Sequence, residues 1–287
     1  MSENSAMQKL LNAKAFIFDV DGTLALADKN LSGYQVLPGA VELIALLSKR
    51  GIPVAAFTNG STKHPRLLNA ALASVNLQFD EYLTLTPVSI AVTLFQQKRY
   101  KKILVLGGEG VSSPLIEAGF EVVRSPQRAD DADAVLVGWY PEFTLADLEA
   151  AARAVMAGAA FYTVSKVPFV ASREGKTIGI SGAISAAIKS VTGKNPVIVG
   201  KPSASALKVA SARLNVHPND IVIVGDDPGL ENAMAIRGGA LSVAVHTGLA
   251  KADNFAALAP NMQPHFSLSG VDKLLELLEC WIKSQPT

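Results

Sequence analysis

The 287-residue chain has a single cysteine, Cys280. One thiol excludes an internal disulfide framework and any zinc or iron–sulfur site built from clustered thiolates, and it fits a reducing compartment. Charge of one sign is equally scarce. There are 26 Lys+Arg against 25 Asp+Glu, a formal net charge of +1, which gives no electrostatic case for nucleic acid or an anionic membrane as the main partner. No charge-free apolar stretch of roughly 18 residues escapes a reading as strand, turn and helix, so no membrane span is expected. Residues 1–14 are mostly polar and lack the apolar core of a signal peptide, so the expectation is a soluble cytoplasmic protein. The four histidines, His64, His217, His246 and His265, have no ligand spacing, which argues against a histidine-rich metal site. Internal repeats, low-complexity segments and Pro/Gly/Ser tethers are also missing. A second domain has to be inserted between strands rather than strung on a linker.

What is there suits a folded α/β protein. Hydrophobic residues make up 49% and charged residues 18%, enough for a substantial core and unlike a disordered chain. The length fits one large domain or two of ordinary size. Short apolar runs alternate with amphipathic stretches. Strands are expected at Ala15–Phe18, Ile52–Phe57, Lys102–Leu106, Ala134–Val137, Val197–Val199, Ile221–Val224 and Leu241–Val245. Helices are expected at Gly39–Arg50, from a Ser61 cap to about Val75, and at Thr144–Ala157, Ser203–Leu214 and Val271–Lys283. Cys280 falls in the last of these as a packing residue. Such alternation predicts a parallel sheet, whose ligands bind at the carboxyl ends of the strands.

The polar residues that follow each strand therefore carry the chemistry. Asp19 and Asp21 follow the first strand beside Gly22. The pair reads as a solvated turn, as ligands for a hard cation, or as nucleophile and general acid. Thr58-Asn59-Gly60-Ser61 follows the second strand and offers either an anion site or a plain Asn-Gly turn. Lys201, in Gly200-Lys201-Pro202-Ser203, is a point charge for a phosphate or a surface lysine. With Asn195 at the first glycine position and Pro202 after the lysine, it is no Walker A loop. Asp226 and Asp227, with Glu231 shortly after, could complete a Mg²⁺ site or form an Asp-Pro-Gly turn. Gly107-Gly108-Glu109-Gly110 reads as a tight turn. Together, four strand ends supply a nucleophile, an acid, a hydroxyl donor, a cation and metal-binding carboxylates.

This set resembles the haloacid dehalogenase superfamily of phosphohydrolases. The matching pieces, in the family's order, are DVDGTL at Asp19–Leu24, FTNGS at Phe57–Ser61, VGKPS at Val199–Ser203 and VGDDPGLEN at Val224–Asn232. Leu37-Pro38-Gly39-Ala40, Ser61-Thr62-Lys63, Val137-Gly138 and Glu142-Phe143-Thr144 are similar to its NagD-like, 4-nitrophenylphosphatase branch. The resemblance implies a Rossmann-like parallel-sheet core, residues 1–85 and 191–287, with a large inserted α/β cap domain at 86–190. It implies a Mg²⁺-dependent hydrolase of a small phosphorylated metabolite, such as a sugar phosphate or nucleotide. Asp19 would form an aspartyl-phosphate and Asp21 would act as general acid and then base. Thr58, Asn59, Gly60 and Lys201 would bind the phosphate. Asp19, Asp21 and Asp226 would hold Mg²⁺, with Asp227 and Glu231 supporting the metal's water shell. A homodimer through the cap is a further expectation of the branch.

Two departures qualify the match. Glu231 stands where the branch usually has a second aspartate. Ser165-Lys166-Val167-Pro168 replaces an Asn-x-Asp stretch facing the leaving group. Ser165, Lys166, Arg173 and Glu174 are the cap's candidates for substrate contact. Lys166 or Arg173 would meet a second anionic group, or serve only as solvated loop charges. Trp139 and Tyr140 suit stacking on a ring or packing. The alternatives to hydrolysis are a non-catalytic sensor of phosphate ligands and a phosphotransferase on the same fold. The sensor has no use for Asp21.

Overall fold

Consecutive residues of the strand Ala15–Phe18 point to opposite faces of a sheet, and all four are buried. A strand apolar on both faces has to be covered by helices on both sides. The computed structural model, which describes residues 3–27, 33–172 and 175–284, shows this. Phe16 and Phe18 enter one core with the helices Glu3–Leu11, Ala40–Lys49 and Val271–Ser284. Ala15 and Ile17 enter another with the helix Ala204–Leu214. Each fully buried Phe or Leu there contributes about 1.5–3 kcal/mol.

The first sheet has six parallel strands. From one edge they are Phe266–Leu268, Leu241–Val245, Ile221–Gly225, Ala15–Phe18, Val54–Phe57 and Thr84–Leu85. The chain starts in the middle, winds outward to Thr84–Leu85, and later returns beside its first strand to wind the other way. This reversal opens a crevice at the carboxyl ends of Ala15–Phe18 and Ile221–Gly225.

A second parallel sheet of five strands forms between the two windings. Its order is Val197–Ile198, Ala160–Thr163, Ala134–Val137, Lys102–Leu106 and Glu121–Arg124. Its last strand in sequence lies beyond residue 190. The helix Pro87–Gln97 joins the two bodies, because Ile90 packs in the core under the first sheet while Val88, Ala91 and Phe95 pack under the second. Two antiparallel hairpins complete the architecture, Ala25–Ala27 with Tyr34–Val36 and Phe169–Ser172 with Gly175–Ile178.

Three local expectations change. The helix after the second strand is Pro65–Ala73, capped by His64 Nδ1, which accepts from Arg66 N at 3.1 Å, and not by Ser61. Pro65 supplies a fixed φ at the first helical position. Gly108 is not part of a free turn but precedes the helix Glu109–Glu117. Cys280 is exposed rather than packed. Among the described residues no helix is long and apolar enough to cross a membrane.

Candidate active site

Four strand ends of the first sheet converge, and a lysine sits at their centre. The Asp19 carboxylate, 6% exposed, accepts a hydrogen bond from Lys201 Nζ. The same ammonium donates to Phe57 O at 2.5 Å and pairs with Glu231 Oε1 at 2.7 Å. Lys201 is only 1% exposed, a burial that a lysine tolerates when its charge is paired and its protons are all used. Its backbone is fixed as well. Asn59 spans it with two bonds, accepting from Lys201 N at 2.8 Å and donating Nδ2 to Lys201 O at 3.0 Å.

The turn after Asp19 presents Asp21. Gly22 has φ +97° and donates its N–H to Ala25 O at 2.9 Å. A Cβ there would stand 2.7 Å from Asp226 Oδ2, so both conformation and space require glycine. Asp21 Oδ2 accepts from the Thr58 hydroxyl at 3.3 Å, and that hydroxyl accepts from Gly60 N at 2.9 Å. Asp21 Oδ1 is buried without a hydrogen-bond partner among the described residues, an arrangement that suits a proton donor or acceptor awaiting a ligand oxygen.

Asp226, 5% exposed, follows Ile221–Gly225 and accepts from Leu249 N at 3.2 Å. Asp227 lines the cavity too and caps the short π-turn Pro228–Asn232, accepting from Gly229 N at 2.7 Å. Glu231 Oε2 accepts from Asp227 N at 3.2 Å while its other oxygen faces Lys201. The loop that supplies Leu249 is itself fastened. Thr247 Oγ1 donates to Gly22 O at 2.5 Å, and Lys251 Nζ donates to the carbonyls of His246 and Gly248 at 3.2 and 3.0 Å.

Crowding of carboxylates dominates the electrostatics. Burial pushes Asp19 up to about 8 against the pull of Lys201, with Glu231 and Asp21 adding repulsion. Burial also raises Asp21 to about 6, opposed by Lys201 and the Thr58 hydroxyl. Asp226 is raised well above the usual carboxylate range by burial and by Asp19 and Glu231, and Asp227 is raised by burial and Glu231. Burial disfavours the Lys201 ammonium, yet Asp19 and Glu231 hold its pKa above the ordinary lysine value. The carboxyl groups outnumber the ammoniums, and every free donor is an oxygen, the environment that a hard divalent cation favours. Among the described residues no group of three acidic or histidine side chains could hold a metal ion by itself. Asp19, Asp21 and Asp226 line the floor of the cavity together.

Above this floor lies a cavity of about 110 Å³, walled by both bodies. Ser165 lines it, but its Oγ accepts from Val167 N at 3.2 Å. Lys166 is exposed and does not line it. Arg173 and Glu174 lie outside the described residues. Trp139 lines the wall, and Tyr140 instead donates its hydroxyl to Asp147 Oδ1 at 3.4 Å within the second body. Sequence reasoning missed Lys63, Tyr34 and Phe169 in the lining and the Thr247–Leu249 clamp. Lys63 continues the Thr58–Thr62 loop, whereas only the hairpins and a loop far along the chain bring the others to the strand ends, so no local signal marks those.

The two bodies meet at the phosphate-type loop. Ser61 Oγ accepts from Trp139 N at 3.0 Å. A Cβ on Gly110 would stand 2.5 Å from Ser61 O, and one on Gly138 would stand 3.3 Å from Ser61 Oγ.

Comparison with known proteins accords with this geometry. The model of the haloacid dehalogenase-like hydrolases matches residues 16–121, and a second model of hydrolases of this type matches residues 198–275. The two spans together take in more than half of the chain. An acid sugar phosphatase of Staphylococcus haemolyticus is 27% identical over 269 residues, 93% of this chain and 97% of its own. The 5′-nucleotidase YutF of Bacillus subtilis is 26% identical over 242 residues, 84% and 90% of the two chains. The p-nitrophenyl phosphatase of Archaeoglobus fulgidus superposes with a TM-score of 0.81 at 26% identity, covering 92% of this chain and 99% of its own. The chain belongs to the haloacid dehalogenase-like hydrolases and is similar over most of its length to phosphatases among them.

Proposed function

We propose that the protein is a Mg²⁺-dependent phosphomonoesterase that hydrolyses a small phosphorylated metabolite through an aspartyl-phosphate on Asp19. The observation that carries this reading is the pairing of two buried carboxyl groups on one floor. Asp19 is held by the Lys201 ammonium, and Asp21, two residues on, has an oxygen with no hydrogen-bond partner among the described residues.

Asp19 attacks phosphorus, the bond from phosphorus to the ester oxygen breaks, and Asp21 gives its proton to that leaving oxygen. Asp21 then takes a proton from water, whose oxygen attacks the aspartyl-phosphate. Asp19 and inorganic phosphate are released. The elevated pKa of Asp21, about 6, keeps a useful fraction protonated near neutrality. Lys201 offsets the repulsion between Asp19 and the phosphate dianion, and Thr58 with the amides of Asn59 and Gly60 meets the phosphoryl oxygens, the Thr58 hydroxyl and Gly60 N turning to them from Asp21 and Thr58 Oγ1. Asp19, Asp226 and the Asp21 carbonyl would hold Mg²⁺, which would supply further positive charge there. Asp227 and Glu231 support that floor. Residues 1–85 and 191–287 form the catalytic core in this reading, with 86–190 as the cap and Val197–Ile198 at the cap sheet's edge. The relatives named for sugar phosphates and nucleotides support a small-molecule ester as substrate.

The test is phosphate release from a panel of esters, p-nitrophenyl phosphate included, with Mg²⁺ or with EDTA. Wild type and Asp19→Asn are compared, the variant's fold being checked by circular dichroism. Metal-dependent release that vanishes in the variant is the expected result. Full turnover by folded, undeamidated Asp19→Asn would sink the assignment.

A further inference from the structure

Among the described residues, the carboxyl groups of this cavity are gathered on its floor. Above the carboxylates, the described wall includes Tyr34, Trp139, Val167, Phe169 and Val170, drawn from both hairpins and from the end of the strand Ala134–Val137. Three aromatic rings on one small wall are notable in a chain that is 6% aromatic and has two tryptophans. Aromatic and aliphatic walls bind apolar bodies by area and flat rings by their faces.

Two polar side chains of the wall are already engaged. Ser165 Oγ accepts from Val167 N at 3.2 Å, and Ser181 Oγ donates to Ser165 O at 3.3 Å. Among the described residues, the cations of the lining are Lys201 and Lys63. Lys201 is consumed by Asp19, Glu231 and the Phe57 carbonyl. Lys63 lies 5.9 Å from the Tyr34 ring centroid and acts electrostatically on Asp21. Lys176 lies 5.8 Å from the Phe169 ring centroid without lining the cavity, and Lys166 is exposed. A second phosphate or a carboxylate on the alcohol would lose its hydration against apolar side chains and face the repulsion of the floor's acids.

Resting on the phosphomonoesterase reading, we infer that the substrate's alcohol is uncharged and carries an apolar, ring-bearing body, with Trp139 and Phe169 as its specificity-determining contacts. The preferred ester thus differs from those named by the sugar-phosphate relatives, whose alcohols are rich in hydroxyls.

The experiment compares kcat/KM for benzyl phosphate, glycerol 3-phosphate and 3-phosphoglycerate. All three are primary esters, so leaving-group acidity does not decide the order. Benzyl phosphate leads glycerol 3-phosphate by at least about tenfold, the effect expected of one buried ring, and 3-phosphoglycerate comes last. Trp139→Ala and Phe169→Ala each lower the ratio of benzyl phosphate to glycerol 3-phosphate severalfold. Phe169 is 47% exposed, so its variant tests the proposal even where the Trp139 change impairs folding. Equal or better use of either polar ester, or an unchanged ratio in a folded Phe169→Ala variant, overturns the inference and leaves the phosphatase reading standing. No phosphate from any ester, p-nitrophenyl phosphate included, removes both.

Discussion

Glu231 Oε1 lies 2.7 Å from Lys201 Nζ, and the two side chains are 3% and 1% exposed. The carboxylate that departs from the branch's usual aspartate thus faces the lysine, and its second oxygen accepts from Asp227 N. An aspartate, shorter by one bond of about 1.5 Å, would not reach both partners without moving the turn. Glu231→Gln keeps the shape and removes the charge. It is expected to lower kcat by about tenfold or more through a misplaced Lys201, while half-saturating Mg²⁺ stays within about threefold. A Mg²⁺ titration of the variant decides, since a large rise in the metal requirement at unchanged kcat would assign Glu231 to the metal.

Asp21→Asn removes the proton that the leaving oxygen needs. An alkoxide requires that proton far more than a nitrophenolate does. The variant therefore loses about 10²- to 10⁴-fold in kcat/KM for benzyl phosphate and much less for p-nitrophenyl phosphate. Equal losses on the two esters would count against Asp21 as the acid.

Stability should carry the mark of the same residue. Burial raises Asp21 from 3.8 in the unfolded chain to about 6 in the fold, so the native state binds this proton more tightly. The associated stability is fully present below about pH 4 and is lost as pH rises through about 6, amounting to roughly 3 kcal/mol. Asp19, raised to about 8, extends the decline in the same direction. Thermal unfolding of EDTA-treated protein should give a falling Tm from pH 4 to pH 8, with a shallower slope between 4 and 7 in Asp21→Asn. A Tm that rises across this window would contradict the assignment.

Gly248 is the tightest contact of the site. A Cβ there would stand 2.3 Å from Asp226 Cγ and closer still to its Oδ2, so Gly248→Ala has to displace either the carboxylate or the loop that supplies Leu249 N. The expected result is a Mg²⁺ requirement raised by more than about tenfold, at least the loss of one good ligand bond. Gly108→Ala is the matched control, because nothing lies within 4 Å of its added methyl, and it should change stability by less than about 0.5 kcal/mol.

Much of the site could be read from the sequence because each core strand is an apolar run punctuated at its carboxyl end by Asp19, Thr58 or Asp226. That punctuation is local, and so it survives in one dimension. Lys201 was marked by the same logic, although the strand before it belongs to the second sheet. Ser61 was misread as a cap because its partner, Trp139 N, lies 78 residues away. The helix Glu109–Glu117 was hidden by its glycines and by Pro114, which oppose helix locally, while burial of Val111 and Leu115 in the second core favours it. Cys280 could have been placed correctly. Val271, Leu274 and Leu278 define the buried face of its helix, and position 280 falls off that stripe. Asp227 and Glu231 were legible as acids but not as a turn cap and a lysine partner, since those roles depend on where a π-turn aims them.

The close approach of Gly110 and Gly138 to Ser61 and Thr62 bears on protein engineering. The inserted sheet is not a detachable lid resting on a finished catalytic half. The ends of its strands Lys102–Leu106 and Ala134–Val137 form the surface on which the Thr58–Thr62 loop is moulded. Chimeras that exchange substrate preference among relatives should therefore move residues 107–110 and 138–139 together with the loop they touch. Alternatively, they should leave that seam intact and graft only the hairpin Phe169–Ile178.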